Sequence, residues 1–253
     1  MDYNTTELMA CVASRVLKDR SSVFVGTGLP IIASMLAQRL HAPNLLIMFE
    51  AGGIGPRIPM IPISVGDSRT FHRAVMAASM DYVMSCAQLG LVDYGFLGAA
   101  QIDPYGNLNT TVIGSHSKPK VRLPGSGGAN DVGSLCRRTI ILMRQDRRRF
   151  VERLDFITTP GYLTGPGARE RAGLPENTGP YRVITQLAVM GFDPSSKRMS
   201  LISVHPGATV DDVVENTGFG LLIPDKVSTT EPPTEVELRL LREEIDPAGI
   251  VIG

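Results

Sequence analysis

The 253-residue sequence predicts an open α/β fold in which a mainly parallel sheet is flanked by helices. Three observations support this class. Two short, wholly apolar runs, residues 23–25 and 45–49, are typical of strands buried on both faces of a parallel sheet. Between them, a Gly-Thr-Gly turn at 26–28 leads into a segment of helix-forming composition at 31–40. Strand, turn, helix and strand in this order form a βαβ unit.

The rest of the chain extends this alternation of strands and helices. Apolar residues recur at helical spacing from Leu8 to Val16, so a helix is expected before the first strand. Further predicted segments are a helix at 72–90, an apolar stretch at 94–102 that ends in a turn at 103–107, a helix starting near Asn130 or Asp131, a strand at 139–143, paired strands at 181–192 and 197–206, and helices at 209–217 and 234–244. The paired strands give a β-rich extension toward the C-terminus. With no internal repeat, residues 1–253 are expected to form a single domain.

The composition is that of a folded globular protein without a charge bias. Hydrophobic residues make up 43% of the chain, and 25 Lys and Arg residues balance 25 Asp and Glu residues. Disorder requires low hydrophobicity and high net charge, so it is excluded. A neutral chain is a poor ligand for the phosphates of nucleic acids, and no apolar run approaches the ~20 residues of a membrane span. We therefore expect neither nucleic acid nor membrane as a partner.

The spacing of cysteines and histidines predicts no metal site. Cys11, Cys86 and Cys136 stand far apart without a CxxC pair, and the four histidines show neither HxH nor HExxH spacing. Scattered cysteines in odd number suit core positions in a reducing compartment. The N-terminus lacks the basic start and the apolar core of a signal peptide. A cytoplasmic protein is the expectation.

Glu50 is the most informative residue, because it stands at the carboxyl end of the apolar run at 45–49. Open α/β sheets bind their ligands at the carboxyl ends of strands. A carboxylate there can act as a base, a metal ligand or a nucleophile that forms an acyl intermediate. Gly52 and Gly53 follow it and would let a substrate approach the backbone closely. A strand-end glutamate that caps or pairs in solvent is an equally good interpretation.

Two glycine-rich turns are candidates for anion or nucleotide binding. GSGGAN at 125–130 precedes a predicted helix start, where backbone N–H groups can bind an anion or a developing oxyanion. A tight connection that requires positive φ explains the same turn. GTGLP at 26–30 resembles half of a dinucleotide fingerprint, but it lacks the third glycine.

Several polar side chains could line a ligand pocket. DPYGNLN at 103–109 is most simply a turn between strands, but Gln101, Asn107 and Asn109 can also point their amides at a polar ligand. Arg57 and Arg69 are candidates for binding a distal carboxylate, and each is also explained as a surface residue.

Taken together, these segments resemble a known family. VGTGLP, Glu50 with its glycine turn, GAAQIDPYGNLNTT, PGSGGAN, GYLTGPGARERAGLPENTGP, ENTGF and EEIDP occur in this order. The combination is similar to the B (beta) subunit of glutaconate CoA-transferase, within the family I CoA-transferases, from about residue 3 to residue 249. Each glycine turn is a weak signal, whereas their ordered combination is specific. The resemblance implies the Rossmann-like CoA-transferase fold.

The resemblance also implies an activity, the movement of CoA between an acyl-CoA and a carboxylic acid. The acid would be a glutaconate-like dicarboxylate or a related short acid. Glu50 matches the glutamate that attacks the thioester and then carries CoA as a glutamyl thioester. Gly127, Gly128 and Ala129 match the GxGG motif that helps to form the oxyanion hole and the CoA pocket. The three amides named above fall in the segment that lines the acyl side. No permanently bound cofactor is implied, because the CoA thioester is a substrate.

Other activities stay open at this stage. Relatives on the same scaffold include a decarboxylase with cysteine at the nucleophile position and a ring-opening hydrolase of bacterial steroid breakdown that lacks the glutamate. Glu50 favours transfer, with hydrolysis or decarboxylation of an acyl-CoA as alternatives and a non-catalytic acyl-CoA- or nucleotide-binding module as a third possibility.

The family further implies an A (alpha) subunit with a GGFGxxGxP motif, which this sequence does not contain. The active site is therefore expected to lie between two different chains. It follows that the isolated subunit should be inactive.

Overall fold

The computed structural model describes residues 2–253. Its α-helices are α1 (Thr5–Val16), α2 (Leu29–Leu40), α3 (Met80–Gln88), α4 (Ala129–Leu135), α5 (Ala168–Arg171), α6 (Val210–Glu215) and α7 (Glu235–Arg239). Its strands are β1 (Ser22–Phe24), β2 (Leu46–Met48), β3 (Gly53–Ile54), β4 (Met76–Ala77), β5 (Tyr94–Leu97), β6 (Gln101–Ile102), β7 (Leu108–Asn109), β8 (Val112–Ser115), β9 (Lys118–Arg122), β10 (Arg138–Leu142), β11 (Pro180–Ile184), β12 (Ala188–Phe192), β13 (Met199–Val204) and β14 (Ser228–Thr229). A 3₁₀-helix spans Ser68–Phe71, and a π-helical turn at Leu240–Ile245 continues α7.

The chain divides into two compact units. The first comprises the chain up to Phe96 together with Pro232–Gly253, and the second comprises Leu97–Glu231. The expectation of a single domain over residues 1–253 stays a prediction.

The first unit contains the predicted βαβ arrangement. β1 is parallel to both β2 and β5, and α2 connects β1 with β2. Strands β3 and β4 then extend from β2 in antiparallel register. All three residues of β1 are buried, as expected for a strand with hydrogen-bonded neighbours on both sides. β4 is the last strand on its side, and both of its residues are exposed.

Ion pairs tie the C-terminal helices of the first unit to α1. Asn4 and Glu7 form a capping box at the start of α1, and Glu7 also accepts a 2.6 Å bond from Arg242 Nε. That bond lowers the pKa of the Glu7 carboxyl. At the other end of α1, Arg15 Nη2 lies 2.6 Å from Glu237 Oε2. The two pairs therefore fix α7 and the π-helical turn against α1.

The second unit carries the antiparallel strands. β11, β12 and β13 are antiparallel neighbours, while β10 pairs in parallel with β11, and β13 with β14. Two small hairpins, β6–β7 and β8–β9, complete the unit. Parallel strands with flanking helices and a later β-rich segment confirm the predicted α/β class.

Two predicted segments are shorter in the structure. The strand expected at 181–192 is two strands, β11 and β12, because the Thr185 hydroxyl accepts the N–H groups of Leu187 and Ala188 and turns the chain. The helix expected at 72–90 is confined to α3. Residues 76–77 pair with β3 instead and form β4.

The cysteines occupy interior or half-buried positions. Cys11 and Cys136 are fully buried, which confirms their predicted place in the core, and Cys86 is half-buried. Burial raises the pKa of the Cys11 thiol to about 12, so this thiol stays protonated at neutral pH. Within the described chain, none of the three forms a disulfide. Residues 2–253 also include no helix with the length and apolar character needed to cross a bilayer.

Candidate active site

Glu50 stands in a tight turn at the carboxyl end of β2. Phe49 N–H donates to the Gly53 carbonyl, and Gly52 N–H donates to the Phe49 carbonyl, both at 2.9 Å. These bonds reverse the chain from β2 into β3 and leave Glu50 near the tip of the turn. Phe49 is fully buried and Glu50 is half-buried, so the backbone beneath the carboxylate is anchored in the core. The predicted position of Glu50 at a strand end is confirmed.

The Glu50 carboxylate stands without a protein partner in the part of the chain that the structure describes. Among residues 2–253, the structure shows neither a hydrogen bond nor an ion pair to its side chain. The alternative of a carboxylate that caps or pairs is therefore not what this structure shows. A carboxylate without donors keeps its lone pairs available to an incoming electrophile.

Gly52 and Gly53 are required by the close approach of the chain's own backbone. A Cβ added to Gly52 would lie 1.9 Å from the Ala78 carbonyl oxygen, and one added to Gly53 would lie 2.1 Å from the Thr70 carbonyl oxygen. Gly52 also adopts a φ of +115°. The space left by the absent side chains is thus filled by segment 70–78, and contact of these glycines with a substrate stays a prediction.

The glycine-rich turn at 125–130 lies at the start of α4, close to the predicted position. Gly125 and Gly127 have φ of +96° and +48°, so the interpretation as a positive-φ connection is confirmed. Ala129 N–H donates to the Ser126 carbonyl, whereas the structure shows no partner for the N–H groups of Gly127 and Gly128 within the described residues. Apart from the neighbouring residues, no heavy atom of the described chain lies within 4 Å of a Cβ built at Gly125 or Gly127. One face of this turn is therefore open.

Thr110 fixes this turn to the segment that follows β7. Gly125 N–H donates to the Thr110 carbonyl, and the Thr110 hydroxyl donates back to the Gly125 carbonyl, both at 2.8 Å. The Thr110 N–H in turn donates to the Thr158 hydroxyl at 2.9 Å. No local pattern indicates this role of Thr110, because the hydroxyl bond joins residues 15 positions apart.

The amides of Gln101 and Asn109 bond to each other in the interior. Asn109 Nδ2 donates to Gln101 Oε1 at 2.6 Å and to the Val112 carbonyl at 2.7 Å. Asn109 Oδ1 accepts the N–H groups of Thr111 and Val112, so this amide has used all its bonds. Gln101 Nε2 donates to Asp155 at 3.1 Å.

Asn107 connects the turn at 103–107 to the segment around residues 161–163. Its Nδ2 donates to Asp103 Oδ2 and to the Leu163 carbonyl, while its Oδ1 accepts the N–H groups of Gly161 and Leu163. Burial raises the pKa of the Asp103 carboxyl, although the bonds from Asn107 and Tyr105 oppose that rise. The structure therefore uses Asn107 and Asn109 to hold loops, as a turn between strands requires. Direct contact of the three amides with a ligand stays a prediction.

Arg169 is a buried cation that was not among the predicted site residues. Its guanidinium donates to the carbonyls of Gly133 and Ser134 in α4, to those of Pro160 and Gly161, and to the Thr178 hydroxyl. Burial lowers its pKa. Arg169 thus fastens α4, which begins at the glycine turn, to the loop that Asn107 holds. Nothing in the sequence separates Arg169 from the exposed Arg171 two positions later.

Arg57 and Arg69 were both considered for binding a distal carboxylate, and both already donate to other groups of the chain. Arg69 forms an ion pair with Asp67, at 2.9 Å between Nη2 and Oδ2, and donates to the Ile61 carbonyl. Arg57 is exposed, and its guanidinium donates at 3.4 Å to the Pro43 carbonyl. The interpretation of both as surface residues fits these contacts.

The predicted site residues fall into two groups. Glu50, Gly52 and Gly53 share one turn in the first unit. In the second unit, Thr110 joins the turn at 125–130 to the chain next to Asn109, and Gln101 bonds to Asn109 directly. This fold and these groups define a class of protein, the α/β enzymes. The carboxylate lies at the end of a strand, and the glycine-rich turn lies at the start of a helix.

The chain belongs to the Coenzyme A transferase family, which matches residues 6–216. It is 41% identical over 241 residues to the B subunit of 3-oxoadipate CoA-transferase from Pseudomonas knackmussii, covering 95% of this chain and 92% of that protein. It is 40% identical over 260 residues to the B subunit of glutaconate CoA-transferase from Acidaminococcus fermentans, covering 99% and 96%.

The fold agrees with this assignment. The crystal structure of glutaconate coenzyme A-transferase from Acidaminococcus fermentans superimposes with a TM-score of 0.95 at 38% identity, covering 100% of this chain and 98% of that one. The family resemblance inferred from the ordered motifs is therefore confirmed.

Proposed function

We propose that this chain is the B subunit of a heteromeric CoA-transferase and that Glu50 is its covalent nucleophile. The observation that carries the proposal is the half-buried Glu50 carboxylate, which has no partner among the described residues and is anchored by the buried Phe49 at the end of a parallel strand. A carboxylate is a weak nucleophile in water, so it needs a site that removes water and stabilises the tetrahedral oxyanion.

The reaction then runs through two kinds of glutamyl intermediate. A Glu50 oxygen attacks the thioester carbonyl, the C–S bond breaks, and CoA leaves as a thiolate, which gives an acyl-glutamyl anhydride. The thiolate attacks the glutamyl carbonyl and releases the donor acid as its carboxylate, leaving CoA on Glu50 as a thioester. The acceptor carboxylate repeats these two steps in reverse order, which forms a new acyl-CoA and restores the Glu50 carboxylate. No proton and no redox partner is consumed.

The turn at 125–130 offers backbone donors of the kind that an anionic oxygen needs. The N–H groups of Gly127 and Gly128 show no partner within the described chain, and nothing in it lies within 4 Å of a Cβ built at Gly127. We assign these two groups to binding an oxyanion or the CoA thioester. Ala129, whose N–H already bonds to Ser126, contributes by starting α4 at this point.

The acceptor acid is proposed to be a short dicarboxylate. Two similar proteins are named for 3-oxoadipate and glutaconate, and both acids carry two carboxyl groups. Both proteins are also named as the B subunit of their enzyme, so the active complex of this chain includes a companion A subunit. Thiols without a disulfide fit the reducing cytoplasm as its compartment.

The test is to trap the intermediate. The complex of both subunits is incubated with an acyl-CoA and no acceptor acid, and intact mass with peptide mapping is used to find CoA bound to Glu50. A Glu50→Ala complex should show no adduct and no transfer. If that variant still transferred CoA, the proposal would be wrong.

The same experiment separates the alternative functions. Free acid that accumulates catalytically without an acceptor would indicate a hydrolase, and release of CO2 would indicate a decarboxylase. Tight binding of acyl-CoA or a nucleotide by the complex, without turnover of any kind, would indicate a binding module.

A further inference from the structure

Exposed apolar side chains of the described chain are concentrated in one segment. Eight of the sixteen large hydrophobic residues that are exposed within residues 2–253 lie in residues 60–91. Among them, Ile63 is 80% exposed, Val75 78%, Leu89 73% and Met80 53%. Single exposures scattered along the chain are normal in a monomeric protein, whereas half of those seen here fall within 32 consecutive residues. We call residues 60–91 the 60–91 surface.

The local structure explains why these side chains remain uncovered. β4 is an edge strand whose two residues are both exposed, and no described strand pairs with its outer side. In α3, only Val83 and Ala87 are buried, so most of this helix faces outward. An edge strand with apolar exposed residues favours aggregation unless another chain covers it.

The 60–91 surface is poor in charge. Its 32 residues include four charged residues, and two of these, Asp67 and Arg69, pair with each other. The surface also contains four of the eleven methionines, which are side chains that adapt to a partner's shape. Depletion of charge and enrichment in methionine are features of the buried centre of an interface.

This surface is continuous with the turn that carries Glu50. Ala78 N–H donates to the Gly52 carbonyl at 2.9 Å, and Ala77 pairs with Gly53. The Ala78 carbonyl fills the space that a Gly52 side chain would occupy. A chain seated on β4 and on the start of α3 would therefore lie beside the Glu50 turn and remove water from it.

We propose that the 60–91 surface is the docking site of the companion A subunit, with the end of β4 and the start of α3 beside the turn that carries Glu50. The identity of the occupant rests on the proposed function, because an anhydride on Glu50 would be hydrolysed unless a second chain excluded water. The chain that completes the active site is the one that must cover the surface next to its nucleophile.

The test measures assembly of the two co-expressed subunits. The purified complex is diluted serially and its dissociation constant is obtained by mass photometry. Val75→Asp with Met80→Asp should weaken assembly by at least about 100-fold, because two carboxylates would be buried against an apolar partner. The matched control is Val214→Asp with Ile223→Asp, two apolar residues of the second unit that are each 44% exposed, and we expect a change below about threefold.

Folding is monitored separately by far-UV circular dichroism and thermal unfolding of each variant. If the double variant does not fold, Met80→Lys and Leu89→Lys, each at an exposed position, take its place with the same expected direction. Unchanged assembly of a folded variant would overturn the proposal. So would a wild-type chain that dimerises with itself through this surface, while its binding to the A subunit is unaffected by the substitutions.

Failure of the proposed function gives a different result. A complex that assembles through the 60–91 surface but never places CoA on Glu50 would refute covalent transfer and keep the docking surface. A complex that forms the adduct and tolerates all these substitutions would support covalent transfer and refute the docking surface.

Discussion

The turn that carries Glu50 and the amide cluster of Gln101, Asn107 and Asn109 are both polar features at strand ends, yet their hydrogen bonding is opposite. The Glu50 carboxylate is half-buried and has no partner among the described residues. Asn107 and Asn109 are buried, and every donor and acceptor of their amides is used within the chain. A polar group with all its bonds made fixes a backbone, whereas one with none can meet a substrate.

The largest effect is expected from Glu50→Gln in the assembled complex. Replacing the attacking oxygen by an amide should lower CoA transfer by at least ~10⁴-fold, as loss of a covalent nucleophile does in other enzymes. The free energy of unfolding should change by less than ~0.5 kcal/mol, because the side chain has no hydrogen bond or ion pair to lose among the described residues. Initial rates and denaturant unfolding measure the two quantities.

Glu50→Asp is the control for this first prediction. It keeps a carboxylate but shortens its reach by one methylene group, so partial activity is expected. A Gln variant that loses stability instead of activity would show that Glu50 belongs with the amide cluster.

The glycine turn after Glu50 and the glycine turn at 125–130 differ in how closely other atoms pack against them. Gly→Ala substitutions can compare the two turns. Gly52→Ala should cost at least about 3 kcal/mol, since the new Cβ would meet the Ala78 carbonyl oxygen and φ is +115°. Gly127→Ala should cost about 1 kcal/mol, because its φ is +48° and nothing lies within 4 Å of the new Cβ. Thermal or denaturant unfolding of both variants checks the ratio. Equal losses would contradict the structural distinction between a packed turn and an open one.

The features that could be predicted from the sequence are those that depend on patterns over a few neighbouring residues. The apolar runs, the glycine turn and the spacing around α2 are local, so the βαβ unit and the position of Glu50 at a strand end could be predicted. Ordered motifs along the chain predicted the family. These signals need no knowledge of which distant residues meet.

The features of the fold and of the site that the sequence does not predict depend on contacts between distant residues. Because β4 pairs with β3, the helix predicted at 72–90 is limited to α3. No local preference in residues 72–79 predicts this pairing. The bonds from Arg169 to α4 and from Asn107 to Gly161 span more than 30 residues. A buried, fully bonded asparagine and one that faces a ligand look alike in a sequence, because the partners are recruited by the fold.

The sharpest test of the amide cluster is Asn107→Ala compared with Asn44→Ala. Both asparagines donate from Nδ2 to an aspartate, Asn107 to the buried Asp103 and Asn44 to the exposed Asp19. Removing Asn107 leaves the Gly161 and Leu163 N–H groups without their acceptor and should cost ~2–3 kcal/mol, whereas Asn44→Ala should cost less than about 1 kcal/mol. Urea unfolding at neutral pH measures both.

The loss in Asn107→Ala should also depend on pH. Burial already raises the Asp103 pKa, and loss of the Asn107 donor raises it further. The folded variant then binds a proton more tightly than the unfolded chain, so its stability falls as pH rises through the folded pKa and recovers as pH falls toward the ordinary value of 3.8. The difference between wild type and variant should therefore shrink on acidification. A difference that stays constant from pH 7 to pH 4 would mean that Asn107 acts on the loop at 161–163 alone and leaves the Asp103 charge unaffected.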